Sequence, residues 1–246
     1  MIRSYAIGDI HGQLKKLEEA HARIAADRAR TGDAAAPVVH LGDLVDRGPD
    51  SRGVIARLRA GLAEGAPWVV LKGNHDALFV EFLDHRPERG AGGRLAVSWL
   101  HPGVGGATTL ASYGVAHPGD RPVRPVHAEA LERVPAGDRA FLAALPLMHR
   151  RGPVLFAHAG IRPGVPLDAQ VEDDLIWIRQ PFLSDTRDHG VLVVHGHTAV
   201  DEPMHCGNRV NIDSRAGYGG PLTAVVIEDR TVHILTEDGR VPLTPP

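Results

Sequence analysis

Between residues 5 and 83 the apolar positions follow two rhythms in turn. Short apolar runs, YAIGD (5–9), PVVHLGD (37–43) and PWVVLKGNHD (67–76), read as strands. Between them the spacing opens to three and four. Leu14, Leu17, His21 and Ile24 make one helical stripe, and Ile55, Leu58 and Leu62 make another within SRGVIARLRAGLAEG (51–65). ALFVEFL (77–83) starts a third helix. This β-α-β-α-β-α order predicts parallel strands joined by right-handed crossovers. All three strands end in polar clusters, Gly8-Asp9, Gly42-Asp43 and Gly73-Asn74-His75. In open α/β sheets the carboxyl ends of the strands form the ligand crevice, so three clusters are expected to converge on one edge.

Residues 84–126 lose this periodicity and are rich in Gly, Pro, Arg and His. They read as a loop and short-helix excursion over the site, acting as a lid or a docking surface. Helical pattern returns over 127–145, so the whole excursion spans about 84–145. Beyond it strands crowd together: PVLFAHAG (153–160), VLVVHGHT (191–198), RVNID (209–213), LTAVVIE (222–228) and TVHIL (231–235). That density predicts an α/β fold in which a second sheet packs on the first, a sandwich flanked by helices. With no internal repeat, low-complexity tract or linker, residues 1–246 are expected to form one domain.

Composition narrows the function classes. The 246 residues are 43% hydrophobic, enough for a sizeable core. A formal net charge of −3 gives no bulk attraction to nucleic acid or to an anionic membrane. Cys206 is the one cysteine, so no disulfide forms within the chain. The opening MIRSYAIGD lacks a long apolar stretch, and no window approaches the roughly 18 apolar residues of a spanning helix. The expected location is cytoplasmic. Fifteen histidines are about twice the ordinary share for this length, which directs attention to metal ligation and acid–base chemistry.

The candidate chemistry lies at the strand ends. In GDIHG (8–12), Asp9 and His11 are two apart, so an extended strand end would point both side chains the same way. GDLVDRGPD (42–50) places Asp43 at the next end, with Asp46 and Arg47 in the turn beyond. Asn74 and His75 come third, and later strands offer His158 and His197. Two carboxylates, an amide oxygen and several imidazoles, with no thiolate, suit manganese, iron or zinc. So many ligands exceed one small site and predict a binuclear centre with a shared carboxylate.

GDIHG, GDLVDRG, GNHD, HAG and GHT, in that order and each at a predicted strand end, resemble the metallophosphoesterase superfamily and its phosphoprotein phosphatase branch. The likeness covers about 5–228, and bacterial members are also similar around WLHPGVGGATTLASYG (99–114), DLIWIRQPFL (174–183) and NIDSRAGYGGPLTA (211–224). The resemblance implies the calcineurin-like αββα sandwich and two divalent metal ions, with manganese favoured. Asp9 and His11 would bind the first metal, Asp43 would bridge, and Asn74, His158 and His197 would bind the second. Where the wider superfamily often has a further ligand, Ala199 stands here, and His195 is not expected to ligate. His75 would be the general acid, held by Asp46, while Arg47 and Arg179 would clamp the phosphoryl group. The implied reaction is one-step hydrolysis of a phosphomonoester by a metal-bridging hydroxide, with phosphoserine or phosphothreonine in proteins as substrate. Hydrolysis of a dinucleoside polyphosphate such as Ap4A is the alternative, and Asp46 tilts the choice, because an anhydride needs less proton assistance than an alkoxide.

Other features have plainer expectations. Asp76 reads as a structural partner at the next helix start. His21, His40 and His195 read as packing or supporting residues, Trp99 and Trp177 as core, and Cys206 as a packing residue. The arginine-rich faces at 23–30 and 52–59 read as solvated, since no aromatic residues interleave with them. Tyr218 is within chain reach of the site.

Overall fold

The computed structural model describes residues 1–84 and 99–245. The first half runs β1 (Arg3–Ile7), α1 (Leu14–Thr31), β2 (Val38–His40), α2 (Ser51–Ala63), β3 (Trp68–Val70) and α3 (Asn74–Asp84). The strands are parallel, with Tyr5 opposite Val38 and Val38 opposite Trp68. Next come α4 (Gly106–Ser112), α5 (Val123–Arg133) and α6 (Ala136–Ala143). The second half supplies β4 (Met148–Arg151), β5 (Val154–Ala157), α7 (Glu172–Trp177), β6 (Leu192–His195), β7 (Met204–His205), β8 (Arg209–Asn211), β9 (Ala224–Glu228), β10 (Thr231–Thr236) and β11 (Gly239–Leu243).

These strands form two mixed sheets, ordered β11-β10-β9-β1-β2-β3 and β4-β5-β6-β8-β7. Side-chain alternation builds the layers, because successive strand residues point to opposite faces. Ala6 and Val39 face the second sheet, where Phe156, Leu192, Val194 and Val210 meet them. Tyr5, Ile7 and Val38 point the other way, onto Leu17, Ile24, Ile55 and Leu58 of α1 and α2. On the far side Leu155, Ala157 and Val193 pack against Leu175, Ile176 and Phe182. Helix, sheet, sheet, helix follows. Among the described residues no helix is long and apolar enough to cross a membrane.

Several boundaries differ from the sequence reading. β1 ends directly before its polar cluster, β2 and β3 stop two and three residues before theirs, and α3 begins at Asn74 instead of 77. The periodicity misses β4, β7 and β11. MHRR has no apolar alternation, and Pro242 in β11 is tolerated because that strand lies at the sheet edge. Leu62, expected on the apolar stripe of α2, is 36% exposed. Nor are the arginine faces left to solvent. Arg23 donates to the Leu222 carbonyl, Arg28 to that of Ala36 and Arg59 to Asp138, while Arg57 lies over the Trp68 ring. Of the excursion, residues 85–98 lie outside the described residues, and 99–145 carry α4, α5 and α6.

Candidate metal centre and active site

The polar clusters gather where the chain leaves the C-terminal edges of β1, β2 and β3 in one sheet and of β5, β6 and β8 in the other. The backbone there is not extended. His11, Asp43, Asp46, Arg47 and His197 have φ between 45° and 73°. Asp and His enter this left-handed region more readily than most residues, and a concentration of such positions marks a place where geometry has been fixed at a cost. In GDIHG, His11 therefore stands in a turn and not on an extended strand end shared with Asp9. Asp76 ties the loops after β2 and β3 together, accepting the backbone N–H groups of Leu44 at 2.9 Å and Gly73 at 2.8 Å.

Asp43 lies at the centre with its two oxygens facing different partners. Oδ2 is 3.5 Å from His11 Nε2, and Oδ1 is 3.4 Å from His158 Nε2. Oδ1 also accepts the backbone N–H of His75 at 2.9 Å. Two groups able to hold a metal ion share this carboxylate: His11, Asp43 and His75 on one side, Asp9, Asp43 and His158 on the other. Asn74 Oδ1 extends the second group, 2.9 Å from His158 Nε2 and 2.8 Å from His197 Nδ1. Asp9 lies with His158 here, and His11 with His75, which divides the residues differently from the pairing the resemblance implies.

The donor set fits divalent cations. His11 Nδ1 donates to the Val45 carbonyl at 2.8 Å and His158 Nδ1 to that of Leu41 at 2.9 Å, so each ring presents a bare Nε2. Burial is the main reason that His11 and His197 are lowered to about 3, and it lowers His158 too. Neutral imidazoles are the form that ligates. His158 Nε2 then faces Asn74 Oδ1, two acceptors in contact that a cation beside them would relieve. Asp9 Oδ1 and His197 Nε2 are buried without a hydrogen-bond partner. Burial pushes Asp9 well above its ordinary range, reinforced by Asp213 and Asp43. Carboxylates crowded in this way call for positive charge.

Next to this centre stands a second device. His75 Nδ1 donates to Asp46 Oδ2 at 2.6 Å, and His75 Nε2 lies 3.0 Å from Arg47 Nη2. The other guanidinium nitrogen of Arg47 contacts His11 Nε2. Burial opposes protonation of His75, but the charge of Asp43 and the hydrogen bond to Asp46 outweigh it and raise its pKa. Tyr218 is 57% exposed and places its ring 4.5 Å from the Arg47 guanidinium carbon. Arg47, Arg179, His75 and Tyr218 line one cavity of about 410 Å³, together with Asp43 and Asn74.

All ten expected site residues are thus brought to one region. Asp9, His11, Asn74, His158 and His197 gather around Asp43, whereas His75, Arg47 and Arg179 line the cavity with Asp46 buried behind His75. Asp213 was missed. It lines the cavity two residues past β8, and its signal was the strand RVNID ending in a carboxylate like the others. Trp177, expected in the core, is half-buried and lines the cavity. Cys206 is likewise half-buried, in the turn between β7 and β8. His195 is buried against Phe182, while His21 and His40 pack with Trp68 on the helix side of the first sheet.

Comparison with known proteins agrees with this geometry. Residues 2–225 match the calcineurin-like phosphoesterases. Serine/threonine-protein phosphatase 1 of Salmonella typhimurium is 28% identical over 241 residues, 91% of each chain. The asymmetrical bis(5'-nucleosyl)-tetraphosphatase PrpE of Anoxybacillus flavithermus is 29% identical over 202 residues, 75% of this chain and 73% of that protein. A crystal structure provisionally named a diadenosine tetraphosphatase superposes with a TM-score of 0.65 at 24% identity, covering 99% of this chain and 95% of the other, and so shares the fold. The chain therefore belongs to the calcineurin-like metallophosphoesterase family, and it is an enzyme of that phosphoester-hydrolysing class.

Proposed function

We propose that the enzyme hydrolyses phosphomonoesters of poor leaving groups, with phosphoserine and phosphothreonine in proteins as substrates. The observation that carries this reading is the 2.6 Å contact from His75 Nδ1 to the buried Asp46, with Nε2 beside Arg47 at the cavity. An alkoxide leaving group needs a proton, and an imidazole oriented by a carboxylate that favours its protonated form can deliver it. Arg47 offers a planar fork to the phosphoryl oxygens, and Arg179 adds a second positive charge on the same cavity wall. Asp9, His11, Asp43, Asn74, His158 and His197 would hold two divalent cations, with manganese preferred over iron or zinc. When bound, these supply Lewis-acid charge and lower the pKa of the attacking water. A cytoplasmic location belongs to the same reading, resting on the single free cysteine.

A second reading has its own support in the relative named as an asymmetrical bis(5'-nucleosyl)-tetraphosphatase, since an anhydride could occupy the same cavity. One assay panel separates the two: phosphoserine, phosphothreonine and phosphotyrosine peptides, p-nitrophenyl phosphate and Ap4A, each with and without Mn²⁺. The proposal expects phosphoserine and phosphothreonine peptides to lead in kcat/KM. If Ap4A exceeds every phosphopeptide by more than about tenfold, roughly 1.4 kcal/mol of transition-state preference, the dinucleotide reading replaces it.

A further inference from the structure

Asp46 is fully buried, and its carboxylate has more partners than His75 alone. Trp99 Nε1 donates to Oδ2 at 2.9 Å, the same oxygen that His75 approaches, while Thr109 Oγ1 donates to Oδ1 at 2.7 Å. Thr109 Oγ1 in turn accepts the backbone N–H of Asp46 at 2.8 Å and lies 3.1 Å from Ser51 Oγ. The backbone of Asp46 is left-handed, with φ 73°. Its carboxylate plane is soft by nature, because a terminal sp³–sp² torsion has broad wells. Donors on opposite oxygens remove that freedom. Both come from the stretch 99–112 between α3 and α5, not from the strand-end loops. Trp99 is held in turn by Phe79, stacked at 5.3 Å, and Phe82 at 4.7 Å.

We propose that Trp99 and Thr109 are positioning residues that lock the Asp46 carboxylate in the plane His75 requires; this rests on His75 acting as the proton donor. Residues 99–112 are therefore part of the acid machinery. Removing either donor leaves the dyad present but misaligned, so the loss falls on the proton-transfer step and not on substrate binding.

The test uses Thr109→Val, Thr109→Ser and Trp99→Phe in the metal-loaded enzyme. Thr109→Val keeps the shape without the hydroxyl, Thr109→Ser keeps the hydroxyl, and Trp99→Phe keeps an aromatic ring against Phe79. For Thr109→Val and Trp99→Phe, kcat on a phosphoserine peptide should fall about tenfold, part of what a general acid contributes. KM should stay within about twofold, and p-nitrophenyl phosphate turnover within about threefold. Thr109→Ser should recover the loss. Independently of substrate, the proton on His75 Nδ1 should give a downfield NMR resonance in the unmodified protein that shifts upfield or exchanges away in both impaired variants. An unchanged resonance in both, equal losses on the two esters, or no recovery in Thr109→Ser would overturn the proposal. Failure of the general-acid reading looks different: His75→Asn would then show no leaving-group bias, while the resonance would still report where Asp46 sits.

Discussion

Gly196 stands where a side chain has no room, since a Cβ there would lie 1.9 Å from Asp9 Oδ1. Gly73 plays the same part for Asp43, with a Cβ falling 2.2 Å from both its Oδ1 and its backbone nitrogen. These glycines set how closely the carboxylates approach the backbone of the next strand end. Gly196→Ala should push Asp9 away and weaken divalent-metal affinity by at least about tenfold, read by calorimetric titration of Mn²⁺. His75→Asn isolates a different act. Turnover of a phosphoserine peptide should drop by about a hundredfold or more, against a much smaller loss with p-nitrophenyl phosphate, while metal content by atomic emission stays at the unmodified level. Metal loss in that variant would make His75 a ligand instead of an acid.

At the scale of elements, the turn between β2 and α2 carries Asp43, Asp46 and Arg47, so the start of α2 bears on the site. Asp50 caps it, accepting the Gly53 N–H at 2.7 Å. Asp50→Ala should cost about 1 kcal/mol, which for a chain of this size lowers the melting temperature by about 2–4 °C in calorimetry. An unchanged melting temperature would mean that the turn is held by Ser51 and Thr109 without the cap. The short strands β2 and β3 do not mark the end of the core. Leu41 and Leu71, just beyond them, are still buried between the sheets, and the polar residues that follow turn inward. Helix α3 shows the consequence, because its first turn contains Asn74, His75 and Asp76. Asn74 faces two imidazoles, His75 its partner Asp46 with its backbone N–H on Asp43, and Asp76 the backbone of the neighbouring loop.

For the whole molecule, the response to acid has two windows. His21 and His40 face each other with their Nε2 atoms 2.9 Å apart beside Trp68. Burial, mainly, lowers them to about 4 and about 3. In the unfolded chain both take up protons below about 6.5, so the stability they confer is full above that pH and declines as the pH falls through 6.5 towards 4. Asp27 adds the lower window. Buried under Arg240, Arg30 and Tyr5, it is depressed despite the opposing effect of burial, so its contribution disappears only below about 4, where the unfolded carboxylate protonates. His21→Gln should flatten the urea-unfolding free energy between pH 6.5 and 4, and Asp27→Asn should flatten it only below that range. A His21→Gln slope equal to that of the unmodified protein would remove the pair from the balance.

What the residues dictated by themselves was the order of strands and helices and the polar clusters that end them, since two-fold and 3.6-fold spacing and glycine-flanked carboxylates are local properties. The family and the candidate ligands were legible for that reason. Strand lengths, the edge strands β4, β7 and β11, the left-handed backbone at His11, Asp43 and Arg47, and Asp213 as a cavity wall were not, because each depends on which distant chain lies alongside. The same holds for Trp99. Its pattern says core, and it is indeed buried, yet its indole N–H reaches a carboxylate 53 positions away. Periodicity reports which face a side chain turns to, whereas a hydrogen bond across the fold exists only once two segments far apart in sequence have packed, and that was decided by the tertiary structure.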